Sequence, residues 1–247
     1  MSGLGLLGAV AWSAGIASAG LITSLDDAPP CPGTELLEFP ALVGELLLQP
    51  VYGAGVAPQA AAQAAESAAV VWRRYGLVVT VRMPIATRWE ALLGGEPGAS
   101  AREISDPLRE AARELSALAS PGATMVVTLP NLVAPDSVVA HQLSTLRGLT
   151  VPAGVALPTL GLAAVGGAEP ILPAGVAPVV FLADLPQHPR DLPLTPAHEL
   201  GHALGLAHRD NASALMRPGV DGQRCLPGLS LDERRSIQRT LEARGAG

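Results

Sequence analysis

Three of the five histidines in this chain fall in the run Thr195-Pro196-Ala197-His198-Glu199-Leu200-Gly201-His202-Ala203-Leu204-Gly205-Leu206-Ala207-His208. Thr195 can cap a helix and Pro196 suits its first position. On that helix His198 and His202 stand at i and i+4, on one face, with Cβ atoms about 6 Å apart. Two imidazoles so placed suit one tetrahedral zinc. Glu199 lies one residue along, beside the metal rather than on it, where it can hold a zinc-bound water. Gly205 stands where the helix should end, because glycine tolerates the left-handed conformation that turns a chain sharply. The turn brings His208 back as a third ligand. Three protein ligands leave one position open, which is the arrangement of a catalytic zinc. A lone histidine on an apolar helix is ordinarily a core residue; the joint spacing, with the glutamate and glycine in place, carries the reading.

Composition narrows the partners. The chain has 247 residues, enough for one sizeable core. It is 49% apolar but only 3% aromatic, so its apolar mass is Ala, Leu and Val, diluted by 27 Gly and 23 Pro. Charged residues make up 15%, below the roughly 25% of ordinary soluble domains. All 16 basic residues are Arg and the net charge is −6. No basic surplus exists to displace counterions from phosphates, so nucleic acid is excluded as the main partner. A mean hydropathy of +0.34 argues against disorder. Two cysteines make neither a disulfide-dense scaffold nor a four-cysteine zinc site.

Residues 1–25 carry no side-chain charge, and Leu4 to Ile22 is apolar or small throughout. Ala17-Ser18-Ala19 offers a small-x-small cleavage site, although Met1-Ser2-Gly3 lacks the usual basic residue. Residues 1–19 therefore read as a signal peptide, with an uncleaved anchor as the alternative. Residues 20–45 follow as an extended leader, and 46–247 as the folded domain. An exported chain meets an oxidising compartment, where a bridge between Cys31 and Cys225 is the default. That bridge would tie the start of the mature chain to its end.

Further on, Leu46 to Tyr52 reads as a strand and 59–75 as an Ala-rich helix that ends on Arg73, Arg74 and Gly76. Leu77 to Met83 and Thr124 to Leu129 read as strands. Between them, Asp106 and Pro107 look like an N-cap and first helical position, with Leu108, Ala112, Leu115 and Leu118 at helical spacing, so a helix is expected over 106–119. Residues 148–183 are too rich in Pro and Gly for a membrane span and read as short strands and loops, ending in a strand at Val179 to Leu182. Ser230-Leu231-Asp232-Glu233 is a capping box that opens a last helix, with Ile237 and Leu241 on one face. The order predicts an α+β (mixed α/β) fold, one sheet with helices packed on it, in a single domain.

The run His198 to His208 resembles the zinc signature of the metzincin metallopeptidases. Ser213-Ala214-Leu215-Met216-Arg217-Pro218 is similar to the Met-containing turn that lies beneath the zinc in that family. The Ala214-Leu215-Met216-x-Pro218 form and Asp210, two residues after the last ligand, are most similar to the matrixins. Pro218 stands where astacin-like and serralysin-like members carry a tyrosine, so no tyrosine ligand is expected. The resemblance is specific over 176–243.

It implies a metzincin-like zincin fold: a twisted mixed sheet, an active-site helix and a small C-terminal subdomain ending in a helix. It implies one catalytic Zn2+ on His198, His202 and His208, and a zinc-dependent endopeptidase with Glu199 as general base. Gly205, Asp210, Met216 and Pro218 become structural residues. The helix at 106–119 looks like an insertion. Protein or peptide substrate is expected to lie extended beside an edge strand within 155–168, at Leu160 to Val165. Leu194 and residues 217–224 are expected to line the pocket for the residue after the scissile bond. Only His141 and His188 remain outside the motif, so a His-rich second zinc site is not expected; His188 is near enough in sequence to line the cleft. Calcium finds no run of Asp residues, and no cysteine-switch propeptide is recognisable. Cys31, in Pro30-Cys31-Pro32-Gly33, offers an alternative to the bridge as a thiolate cap on the zinc. Two functions follow: a monomeric peptidase, secreted or in the cell envelope and membrane-bound only if residues 1–19 are retained, or a catalytically silent zinc-stabilised binding or adhesion module. Intact Glu199 counts against the second, since a structural zinc has no use for it.

Overall fold

The computed structural model describes residues 28–31, 42–97, 99–137, 139–140, 143, 146–153, 171–184, 194–210, 214–218 and 225–245. The elements in chain order are β1 (Glu45–Tyr52), α1 (Pro58–Arg74), β2 (Val78–Val81), β3 (Ile85–Ala86), α2 (Ala101–Leu118), β4 (Ala123–Leu129), β5 (Gly148–Val151), β6 (Val179–Ala183), α3 (Thr195–Ala203) and α4 (Leu231–Gly245).

All seven residues of β4 are buried, which a strand achieves only when both of its faces are covered. The sheet runs β2-β1-β4-β6-β5, with β3 also paired to β1. Its pairs are parallel except β5 with β6, which is antiparallel and sets Gly148 opposite Leu182 and Thr150 opposite Val180. The period-2 alternation of side chains sorts the core into two layers. Leu46, Leu48, Val126, Val180 and Leu182 face α1, α3 and α4, together with Trp72, Leu200 and Ile237. Val51, Met125, Val127, Leu149, Val151 and Phe181 face α2, with Leu108, Ala112 and Leu115. The expected mixed sheet with packed helices is thus present, with helices on both faces.

Helix α2 starts earlier than the 106–119 expected. Ser100 is its N-cap: the Glu103 N–H reaches Ser100 Oγ at 3.3 Å, and the Ser100 N–H reaches Glu103 Oε2 at 2.7 Å. This reciprocal box outcompetes the Asp106-Pro107 start. Pro107 sits inside the helix and removes the one bond that would end on the Glu103 carbonyl. The helix read as an insertion packs Leu108, Ala112 and Leu115 against one face of the sheet. Thr195 differs in a smaller way: it is the first residue of α3, and the flanking cap position is Leu194.

The C-terminal segment is tied back onto this frame. Cys31 and Cys225 form a disulfide. Beside it, the Cys31 N–H donates to the Leu226 carbonyl at 2.9 Å, and the Leu226 N–H to the Pro29 carbonyl at 2.7 Å. The buried Tyr75 hydroxyl donates to the Pro227 carbonyl at 2.7 Å, and its pKa is raised by that burial. Helix α4 opens on the Ser230–Glu233 box and buries Ile237 completely. Among the described residues no helix is long and apolar enough to cross a membrane.

The disulfide closes a span of 194 residues, so its removal frees a large unfolded-state loop. The Cys31→Ser/Cys225→Ser double variant is expected to lose about 2–5 kcal/mol in urea denaturation. An unchanged midpoint would mean the Pro29–Leu226 backbone pairing holds the leader without it.

Candidate metal centre

Helix α3 is fixed before its ligands are considered. The Trp72 indole N–H of α1 donates to the Ala197 carbonyl at 3.1 Å, and Ala197, Leu200 and Leu204 are fully buried. The helix then stops as glycine predicts. Gly205 has φ +85°, in the left-handed region. Its N–H meets the His202 carbonyl at 3.0 Å, and the Leu206 N–H meets the Gly201 carbonyl at 3.0 Å. This pair of bonds is a Schellman cap. It reverses the chain so that His208 returns over the helix.

The three imidazoles converge through their Nε2 atoms, with His208 Nε2 3.2 Å from His198 Nε2 and 3.1 Å from His202 Nε2. His198 is buried, His202 half-buried and His208 exposed. His198 Nδ1 lies 2.8 Å from the Leu215 carbonyl, and His202 Nδ1 lies 2.8 Å from the Leu206 carbonyl. A carbonyl only accepts, so both Nδ1 atoms carry the proton and both Nε2 atoms present lone pairs. Lone pairs meeting at one point call for a cation. Zinc at about 2.0–2.1 Å from tetrahedral nitrogens would separate them by about 3.3 Å, close to the spacing found. Burial lowers the pKa of all three, and takes His202 down to about 4. Neutral imidazoles are the form a metal requires. These residues therefore fit a zinc ion held by His198, His202 and His208.

Met216 lies beneath them and is fully buried. A Cβ on Gly201 would overlap its sulfur, so the helix carries a glycine where the turn packs. The turn's work is done by its backbone: Leu215 accepts from His198, and the Met216 carbonyl accepts from the Arg209 N–H at 2.8 Å, next to His208. Arg209 Nε also lies 3.4 Å from the buried Glu233 carboxylate of α4.

Glu199 is 8% exposed. Burial raises its pKa from 4.5 to about 7, against the opposing pull of a hydrogen bond from Thr150. Thr150 Oγ1 lies 2.7 Å from Glu199 Oε2 and 2.8 Å from the Glu199 carbonyl. A Cβ on Gly148 would come 2.5 Å from Glu199 Oε1 and 2.7 Å from Cδ, so the strand leaves the carboxylate its space only because glycine stands there. Gly148 and Thr150 were not singled out from the sequence. Nothing local marks them, since the contact joins residues 49 apart.

The remaining expected residues divide plainly. Asp210 and Pro218 are exposed, while Leu194 is buried against α3. Cys31 and Cys225 are consumed in their disulfide, so Cys31 offers no thiolate to cap the metal. The strand next to α3 at the end of the described sheet is β5, upstream of the 155–168 expected for a substrate edge. Residues 155–168, His141, His188, 219–224 and 1–19 lie outside the described residues. Among the described residues, His198, His202 and His208 are the one cluster of three or more metal-ligating side chains.

Residues 124–241 match the family model described as Matrixin, a wider span than the motif alone, reaching from β4 to α4. No curated protein matches the chain. Among solved structures it is similar to metalloproteinase-II from Bacteroides fragilis, with a TM-score of 0.48 and 14% identity over 90% of this chain and 61% of that one. It thus spans less than two thirds of that protein's length. It is also similar to archaemetzincin from Methanopyrus kandleri, with a TM-score of 0.44 and 16% identity over 80% of this chain and 96% of that one. A zinc-dependent peptidase from Methanocorpusculum labreanum gives a TM-score of 0.39 and 15% identity over 79% of this chain and 99% of that one.

The buried carboxyl has a consequence for stability without metal. Its folded pKa of about 7 is above its unfolded value, so the fold favours the protonated form. That contribution is present below about pH 4.5 and lost as pH rises through 7. In zinc-free protein, Glu199→Gln is expected to gain on the parent by roughly 3 kcal/mol between pH 4.5 and pH 8, by chemical denaturation at each pH. A pH-independent difference would show that Glu199 is not desolvated.

Proposed function

On the match of residues 124–241 to the Matrixin family model, we propose that this chain is a zinc-dependent endopeptidase in which Glu199 is the general base. The convergence of three imidazole Nε2 atoms beside a buried carboxylate supports this most directly. Zinc, when bound there, supplies Lewis acidity to a carbonyl and lowers the pKa of water towards about 7.

The chain's own residues do the rest. His198, His202 and His208 hold the ion from one side and leave the other open. Glu199 takes the proton of the attacking water on its carboxylate and returns it to the leaving amine. No covalent intermediate is required, in keeping with a sequence that carries no serine or cysteine nucleophile motif. Strand β5 ends the described strand order, so its outer edge can pair with an extended peptide and lay it across the mouth of the site. Leu194, expected to line the pocket beyond the scissile bond, instead packs in the core at 1% exposure. Export is part of the proposal, supported by the apolar residues 1–25 and by a disulfide suited to an oxidising compartment.

The test pairs the purified chain with Glu199→Ala. The parent is expected to hold about one zinc per chain and to cleave casein or gelatin. The variant is expected to keep the zinc and lose about 10²–10⁴ in kcat. Zinc bound by both with cleavage by neither would replace the peptidase with the silent binding module.

A further inference from the structure

Resting on the reading of Glu199 as the general base, we propose that Thr150 of β5 is the residue that positions that base, through its hydroxyl on Oε2, with Gly148 leaving room for Oε1. Both residues face α3, because β5 turns Leu149 and Val151 to the other face of the sheet. Thr150 is 4% exposed, so its hydroxyl has no free exchange with water and must be satisfied within the fold. Two acceptors are in reach, Glu199 Oε2 at 2.7 Å and the Glu199 carbonyl at 2.8 Å, and both belong to the same residue. One side chain therefore fixes the backbone and the carboxyl of Glu199 relative to the strand.

The hydroxyl has a single proton, so it donates to one of these two oxygens at a time, and either choice ties it to Glu199. A valine has the same shape and can make neither bond.

Strand β5 therefore has two tasks at two faces of one backbone. Its outer edge ends the order of the described strands and is the edge proposed above to take a peptide, and its α3-facing side chains set the base. Any substrate that pairs with β5 is then placed by the strand that also places Glu199, which keeps the two in register.

The zinc-loaded chain is compared with Thr150→Val, Thr150→Ser and Gly148→Ala. Thr150→Val is expected to lose about ten- to a hundredfold in kcat with KM, zinc content and melting temperature near those of the parent, and Thr150→Ser to recover most of the loss. If the valine variant does not fold, Thr150→Ala takes its place with the same expectation. Gly148→Ala crowds Oε1 of the carboxylate and is expected to lower kcat with zinc retained. A crystal structure of Thr150→Val reads the contact independently of turnover, with the Glu199 carboxylate displaced from β5. An unshifted carboxylate, an unchanged kcat, or a serine variant as impaired as valine would overturn the proposal. A parent chain that holds zinc but does not cleave would instead overturn the peptidase reading.

Discussion

Two backbone carbonyls decide where the metal goes. Leu215 and Leu206 each take an imidazole Nδ1 proton, and so turn the Nε2 atoms of His198 and His202 to a common point. Neither carbonyl is where it is by accident of sequence neighbourhood. Leu206 is brought under His202 by the left-handed Gly205. Leu215 is brought under His198 by the turn whose Met216 fills the space Gly201 leaves. Remove either glycine's freedom and the rings lose the bond that sets their tautomer. Orienting contacts of this kind are as much part of a metal site as the ligands themselves.

The helix that carries the first two ligands is in turn held by ordinary packing. A chain with so few aromatics uses them sparingly: Trp72 and Tyr75 are buried between α1, α3 and the C-terminal segment, and each spends its polar atom on a backbone carbonyl there. Helix α4 closes the same side. Arg244 donates to the Ala203 carbonyl at 2.6 Å, meeting the unsatisfied end of α3 with a positive charge. Thr240 lies close enough to Gly205 that a Cβ there would stand 2.9 Å from its hydroxyl. The final helix thus holds the turn that delivers His208.

Much of this was legible in the sequence because it rests on short-range spacing. Histidines at i and i+4, a glycine at the helix end and a capping box at Ser230 each encode geometry within a few residues. The strands at 46–52, 124–129 and 179–182 were legible as short, largely apolar runs, and the structure extends each by no more than a residue, while the β-branched run at 77–83 forms a shorter strand, Val78–Val81. The start of α2 was misjudged for a local reason: two capping signals lie six residues apart, and the reciprocal bonds of Ser100 and Glu103 outweigh a proline start. Thr150 was invisible for a different reason. Its bond to Glu199 joins residues 49 apart, and only the antiparallel pairing of β5 with β6 brings the strand beside α3. No local pattern carries that information.

The account stands on three imidazoles, and no sulfur, around one zinc. X-ray absorption at the zinc edge of the loaded chain tests this directly. The expected first shell is four nitrogen or oxygen scatterers at about 2.0–2.1 Å, three of them with the outer-shell pattern of imidazole rings. A sulfur scatterer at about 2.3 Å, or only two imidazoles, would contradict the site as assigned.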